Sequence, residues 1–249
     1  AMNELLPEEA ARIEKEQMTH WTQARDWVKY LQIFPGRDVT FSEKKYLRGE
    51  IPEPVAEALR IAILGAPVIQ INNESIAEGV SISTLNPNDV ALLNAEHRYR
   101  DFTIETARAL ADAFYCLQEP IAKALNSAWR VLNCRSWTTL PGAAHGPNAW
   151  HVDGDLEQIL KMMIYATPTG WGQGGLQVEV SKDKVLNVQG RAGQWVLFYN
   201  SILKHRALAP EKEGVERVAT EVTIAPSIGF DLRPKFLGLV GRYPNSPNV

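Results

Sequence analysis

Trp150-His151-Val152-Asp153-Gly154 sets an imidazole and a carboxylate two positions apart. In an extended segment, residues i and i+2 project from the same face, so both side chains can reach one ion from one side. A third donor must come from elsewhere. His205 offers it, just after the apolar run Gln194-Trp195-Val196-Leu197-Phe198-Tyr199. Arg217 stands twelve positions further on and opens the strand-like run Arg217-Val218-Ala219-Thr220-Glu221-Val222-Thr223-Ile224. With five histidines in the chain, a His-x-Asp triplet arises by accident in roughly one chain of ordinary composition in four, so the pair alone decides little. The ordered set His151, Asp153, His205 and Arg217, each in or beside a strand-like run, is far more specific.

Two histidines and one carboxylate on one side of an ion leave the opposite positions open, which is the facial arrangement of non-haem Fe(II) oxygenases. On these residues the chain resembles the 2-oxoglutarate/Fe(II)-dependent dioxygenases, and most closely their phytanoyl-CoA hydroxylase-like branch. The resemblance is clearest from about Val131 to Ile228. Gly174-Gly175-Leu176-Gln177-Val178 is similar to that branch's turn and strand after the first metal strand. Gly193-Gln194-Trp195-Val196-Leu197-Phe198 is similar to its run leading to the distal histidine. The first hundred residues carry no motif that matches.

The resemblance implies a mainly β fold with helical additions, a double-stranded β-helix (a cupin-like jelly roll) braced by N-terminal helices. It implies Fe(II) on His151, Asp153 and His205, with O2 and 2-oxoglutarate as co-substrates. Succinate and CO2 would form as a substrate C–H bond is hydroxylated, desaturated or cyclised. Arg217 would take the distal carboxylate of the oxoacid, a task for a planar, always-charged fork. The alternative for Arg217 is a surface pairing with Glu213 or Glu216. Related halogenases carry a small residue at the position of Asp153, so a carboxylate there implies oxidation without halogen. A non-oxidative cupin-like isomerase or ligand-binding protein is the second reading; such a cupin more often shows three histidines and a carboxylate in close array.

Strand alternation nominates further residues. If Arg217 points inward, so do Ala219 and Glu221, while Val218, Thr220, Val222 and Ile224 face the helices. Glu221 is then a substrate contact or the partner of another buried charge, unless it forms a salt bridge near the strand end. Lys161, Met163 and Tyr165 share one face, and Asn133, Arg135 and Trp137 share another. Lys161, Asn133 and Arg135 are candidates for the co-substrate; Trp137, His145, Tyr165 and Glu221 are candidates for the substrate. His145, in the loop from Pro141 to Pro147, faces solvent or substrate. His20 and His97 show no partner pattern.

The 249 residues, 45% of them apolar, suit one domain. It divides into a helical part over about 1–128, a β core over about 129–230 and a loop tail over 231–249. A net charge of -3 argues against a dedicated nucleic-acid binder. No apolar run reaches the eighteen or so residues of a membrane span, and no signal peptide is read. Ala1 ahead of Met2 reads as a cloning scar, and the expectation is a cytoplasmic monomer or homodimer acting on a small molecule. Cys116 and Cys134 read as buried thiols in a reducing compartment, with a disulfide the alternative. Helices are expected over Pro7–Leu31, packed through Trp21 and Trp27, over Pro54–Leu64, and from Thr103, with Pro120 breaking or kinking the last. Val68–Ile71 reads as a short strand. Glu96-His97-Arg98-Tyr99-Arg100 reads as a solvated basic cluster. From Trp129 the period turns strand-like, with strands at about 130–139, 160–166, 176–180, 185–188, 194–199 and 216–225.

Overall fold

A computed structural model describes residues 43–70, 87–125, 128–153 and 160–227. The helix expected over Pro7–Leu31, the stretch 71–86 and the tail from 228 onward lie outside the described residues. In chain order the elements are β1 (Tyr46–Glu50), α1 (Glu53–Gly65), β2 (Val68–Ile69), α2 (Pro87–Glu96), β3 (His97–Arg100) and α3 (Ile104–Leu125). There follow β4 (Ala128–Thr139), β5 (Leu160–Tyr165), β6 (Gly175–Ser181), β7 (Lys184–Asn187), β8 (Gln194–Phe198), β9 (His205–Leu208) and β10 (Arg217–Ser227).

Local chemistry explains the helices. Pro52 precedes α1 with Glu53 in the first turn, and Ala56, Leu59 and Ile63 form its buried face, at the three- and four-residue spacing of one helical stripe. Thr103 caps α3, its Oγ1 accepting the Thr106 N–H at 3.2 Å. Leu110, Phe114, Leu117 and Ile121 are fully buried along the stripe, each burial contributing about 1.5–3 kcal/mol. Pro120 does not end α3, which runs on to Leu125. The proline removes a bond to the Cys116 carbonyl on a side of the helix where Cys116 is exposed, while Leu117 and Ile121 hold the inner face.

The strands form two antiparallel sheets, neither of them closed. One has seven strands in the order β1-β8-β5-β10-β4-β3-β2, the other three in the order β7-β6-β9. Between the sheets lies one core, with Trp137, Met163, Tyr165, Phe198 and Ala219 from the larger and Leu176, Val178 and Ala207 from the smaller. On the far face of the larger sheet, Val218, Val222 and Ile224 pack with the buried faces of α1 and α3. The inward and outward sets expected for β10 are therefore those observed. This is a helix-braced jelly roll, as expected.

Three expectations need correction. The described N-terminal part carries, besides the short strand expected at Val68–Ile71, two unexpected strands, β1 and β3, on opposite sides of the larger sheet. The basic cluster 96–100 is not a solvated face: His97 and Tyr99 point inward and are buried, while Arg100 donates to the carbonyls of Leu64 and Ala66 at 3.3 and 3.2 Å. Cys134 is buried but Cys116 is exposed, and both are free thiols.

Candidate metal centre

His151 lies outside the regular strands yet pairs with the first residue of β9. Its N–H donates to the His205 carbonyl at 3.1 Å, and the His205 N–H donates back at 2.9 Å. Residues paired in this way sit directly opposite and send their side chains to one face; the two imidazole centroids are 4.4 Å apart. Asp153 is fixed at both ends by Asn200, whose carbonyl accepts the Asp153 N–H at 2.9 Å and whose Nδ2 donates to Asp153 Oδ2 at 2.8 Å. His151 Nε2 is 3.6 Å from Asp153 Oδ1, and His205 Nε2 is 3.5 Å from Oδ2. One ligand atom from each residue lies within 4.8 Å of the others.

The protonation pattern suits an ion. His151 Nδ1 is 2.8 Å from the Ala149 carbonyl, and His205 Nδ1 is 2.9 Å from the Leu203 carbonyl. A carbonyl only accepts, so each Nδ1 carries the hydrogen and each Nε2 keeps its lone pair for the centre. Burial lowers the pKa of His151, keeping the ring neutral. Burial would raise the Asp153 pKa, but the His205 ring when protonated, and the Lys161 ammonium in either case, outweigh it and hold this carboxyl well below the ordinary range. The outer side of the segment is pinned as well: the Arg206 guanidinium lies 4.7 Å from the Trp150 ring centroid and donates to Gln177 Oε1 at 2.7 Å.

A row of alternating charges continues from the carboxylate. Lys161 Nζ bonds Asp153 Oδ2 and lies 3.3 Å from Glu221; Arg135 lies 2.7 Å from Glu221. Glu221 is thus the partner of two cations, Lys161 buried and Arg135 partly so. Burial alone would raise its pKa, but Arg135 and Lys161 outweigh it and hold the carboxyl below its ordinary value. Arg135 also covers Trp137 at 5.5 Å from the ring centroid. Asn133 stands opposite Thr223 in the ladder.

Arg217 is 1% exposed, which rules out the surface pairing; Glu216 is taken instead by Arg98 at 3.4 Å. Its Nη2 donates to Thr139 Oγ1 at 2.9 Å, and its Nη1 donates to the Leu208 carbonyl. Nε is buried with no hydrogen-bond partner, and among the described residues no carboxylate pairs with the guanidinium. The Tyr165 ring lies 5.9 Å away, its hydroxyl pushed up to about 12 by burial. Gly174 permits this arrangement: with φ +77°, a Cβ there would stand 2.4 Å from the Leu208 carbonyl oxygen.

No protein-family model matches the chain, and no curated protein matches it. Solved structures do. The nickel complex of the non-haem monooxygenase ThoJ superposes with a TM-score of 0.52 at 14% identity, over 84% of this chain and 88% of that one. HygX from Streptomyces hygroscopicus, with nickel, 2-oxoglutarate and hygromycin B bound, gives 0.50 at 15%, over 77% and 86%. SnoN, a non-haem α-ketoglutarate-dependent epimerase from nogalamycin biosynthesis, gives 0.51 at 12%, over 75% and 78%. The fold is that of the non-haem 2-oxoglutarate-dependent enzymes. At these identities the likeness is one of fold, and the phytanoyl-CoA hydroxylase-like branch is not singled out by it. No helix among the described residues is long and apolar enough to cross a membrane.

His145 stands apart from the triad. Its Nδ1 meets Glu96 Oε1 at 2.8 Å, and its backbone N–H donates to Glu96 Oε2 at 2.7 Å. Trp137 and Tyr165 lie in the core between the sheets. Sequence reasoning missed Asn200, Thr139 and His97. Asn200 sits one residue past the apolar run 194–199 and five before His205, and it meets Asp153 only through the fold, a juxtaposition with no spacing signal. Thr139 and His97 are discernible only once β3 is known to pair with β4.

Proposed function

We propose that this chain is an Fe(II)- and 2-oxoglutarate-dependent oxygenase that oxidises a C–H bond of a small molecule. The carrying observation is the His151–Asp153–His205 cluster, with both Nε2 lone pairs directed by carbonyl-bound Nδ1 hydrogens. Two imidazoles and one carboxylate fit a divalent transition ion that keeps open positions. When bound, iron and 2-oxoglutarate supply O2 chemistry in which the oxoacid loses CO2 to give succinate while the substrate is oxidised. The protein's own part is to hold and orient. Asn200 and Lys161 fix Asp153, while Arg217, buried with no carboxylate partner of its own among the described residues, receives the distal carboxylate of the oxoacid. Lys161, Glu221 and Arg135 form a row of paired charges leading from Asp153; Lys161 and Arg135 stand as further candidates for the co-substrate and Glu221 for the substrate.

The finer placement in the phytanoyl-CoA hydroxylase-like branch rests on the sequence segments 174–178 and 193–198. A non-oxidative cupin-like protein is the second reading, and it differs in needing no oxoacid carboxylate at Arg217. The test is Ni(II) or Co(II) binding by calorimetry, then succinate release over a panel of small molecules with Fe(II). His151→Ala and Asp153→Ala should each lose most of the metal and the succinate release. Full metal occupancy in both variants would remove the assignment.

A further inference from the structure

We infer that His97 and Thr139 are positioning residues that set the orientation of the Arg217 guanidinium, and through it the affinity for the oxoacid; the inference rests on the functional reading above. His97, Thr139 and Arg217 are register partners across three adjacent strands, His97 opposite Thr139 and Thr139 opposite Arg217. All three are buried, at 1%, 0% and 1% exposure. The hydrogen bonds between them have one consistent direction. His97 Nε2 is 3.1 Å from the His145 carbonyl, which only accepts, so Nε2 carries the hydrogen. In the neutral ring Nδ1 then accepts, and at 3.2 Å it takes the Thr139 hydroxyl hydrogen. That leaves the Thr139 oxygen lone pairs for Arg217 Nη2 at 2.9 Å. Burial and the nearby Arg217 charge both favour the neutral ring, against Glu96 and the His145 carbonyl, which favour the charged one.

The consequence is directional. Arg217 is held on one side by Thr139 and the Leu208 carbonyl, leaving Nε and its remaining N–H groups for an anion. Without an acceptor at His97 Nδ1, the Thr139 hydroxyl is free to turn its hydrogen elsewhere, and Arg217 loses a fixed partner. The far end of the relay is the His145 carbonyl, in the loop that leads to His151.

The experiment uses Ni(II)-loaded protein and calorimetric titration with 2-oxoglutarate, alongside the Ni(II) affinity itself. Thr139→Val should weaken oxoglutarate binding by roughly tenfold, the effect of one fixed hydrogen bond to a charged group. Thr139→Ser should restore it. His97→Phe keeps a ring of similar bulk but offers the Thr139 hydroxyl no acceptor, and should weaken oxoglutarate binding severalfold with Ni(II) affinity unchanged. The double variant should be no worse than Thr139→Val, because the two act through one another. Wild-type oxoglutarate affinity in both single variants, or an equal fall in Ni(II) affinity, overturns the relay alone. A wild type that binds Ni(II) but not oxoglutarate overturns the functional reading and the relay together.

Discussion

A buried guanidinium with an unpaired Nε is expensive to keep, since an unsatisfied charged donor costs more than the ordinary 1–3 kcal/mol or so of a buried polar group. Arg217 is in that position, and the carboxylate proposed for it would relieve it. Arg217→Ala should therefore raise the 2-oxoglutarate concentration needed for half-maximal succinate release by tens of fold, about 2–3 kcal/mol for a charge-assisted fork. An unchanged requirement would move the anchor to Lys161 or Arg135. The triad was legible because extended backbone turns a two-residue spacing into one face, and Glu221 because alternation carries inward from Arg217. The partners that fix tautomer and orientation were not. Ala149, Leu203 and Leu208 contribute backbone carbonyls, which any residue possesses, so no side-chain pattern marks them.

Among the elements, most of those with a clear apolar pattern were readable, including short β2 and β7, while β1, β3 and β9 were not. β4, β5, β6, β7, β8 and β10 follow the expected strands to within a few residues. β3 alternates as a strand should, but its inward pair is His97 and Tyr99 and its outward pair is arginine, so charge masked the period. β1, Tyr46-Leu47-Arg48-Gly49-Glu50, hides in the same way, and β9 is only four residues long. That short strand carries His205 at one end and the Leu208 carbonyl at the other, so small shifts of β9 reach both halves of the site. Gly174→Ala would press a methyl against Leu208 at a positive φ that alanine adopts with strain. It should weaken oxoglutarate binding more than Ni(II) binding, measured by the same titrations. Trp150→Ala removes the ring under Arg206 and should act oppositely, lowering Ni(II) affinity severalfold, with Trp150→Phe intermediate, since a stacked cation–π contact is worth about 0.5–2 kcal/mol. Equal effects of both substitutions on both ligands would show that β9 moves as a whole.

For the molecule as a whole, the buried charges tie stability to pH. Glu221 has a folded-state pKa below its unfolded value, so its contribution is present above the unfolded pKa and is lost as pH falls through the folded one. Glu221→Gln leaves Arg135 and Lys161 without their shared carboxylate and should cost about 3–5 kcal/mol at neutral pH. The gap in melting temperature from wild type should be widest near pH 7 and narrow below about pH 4; a constant gap would mean that packing, not charge, is what the substitution disturbs. The order of the larger sheet carries a further consequence. β1 covers β8 on one side, and β3 with β2 covers β4 on the other, so the segments before Phe102 cap both flanks of the strands that bear the site. A chain begun at Ala128 would keep every proposed ligand yet expose two rows of unpaired backbone N–H and C=O groups. Such edges recruit other chains. Light scattering of that fragment should show open-ended assembly rather than a smaller soluble particle.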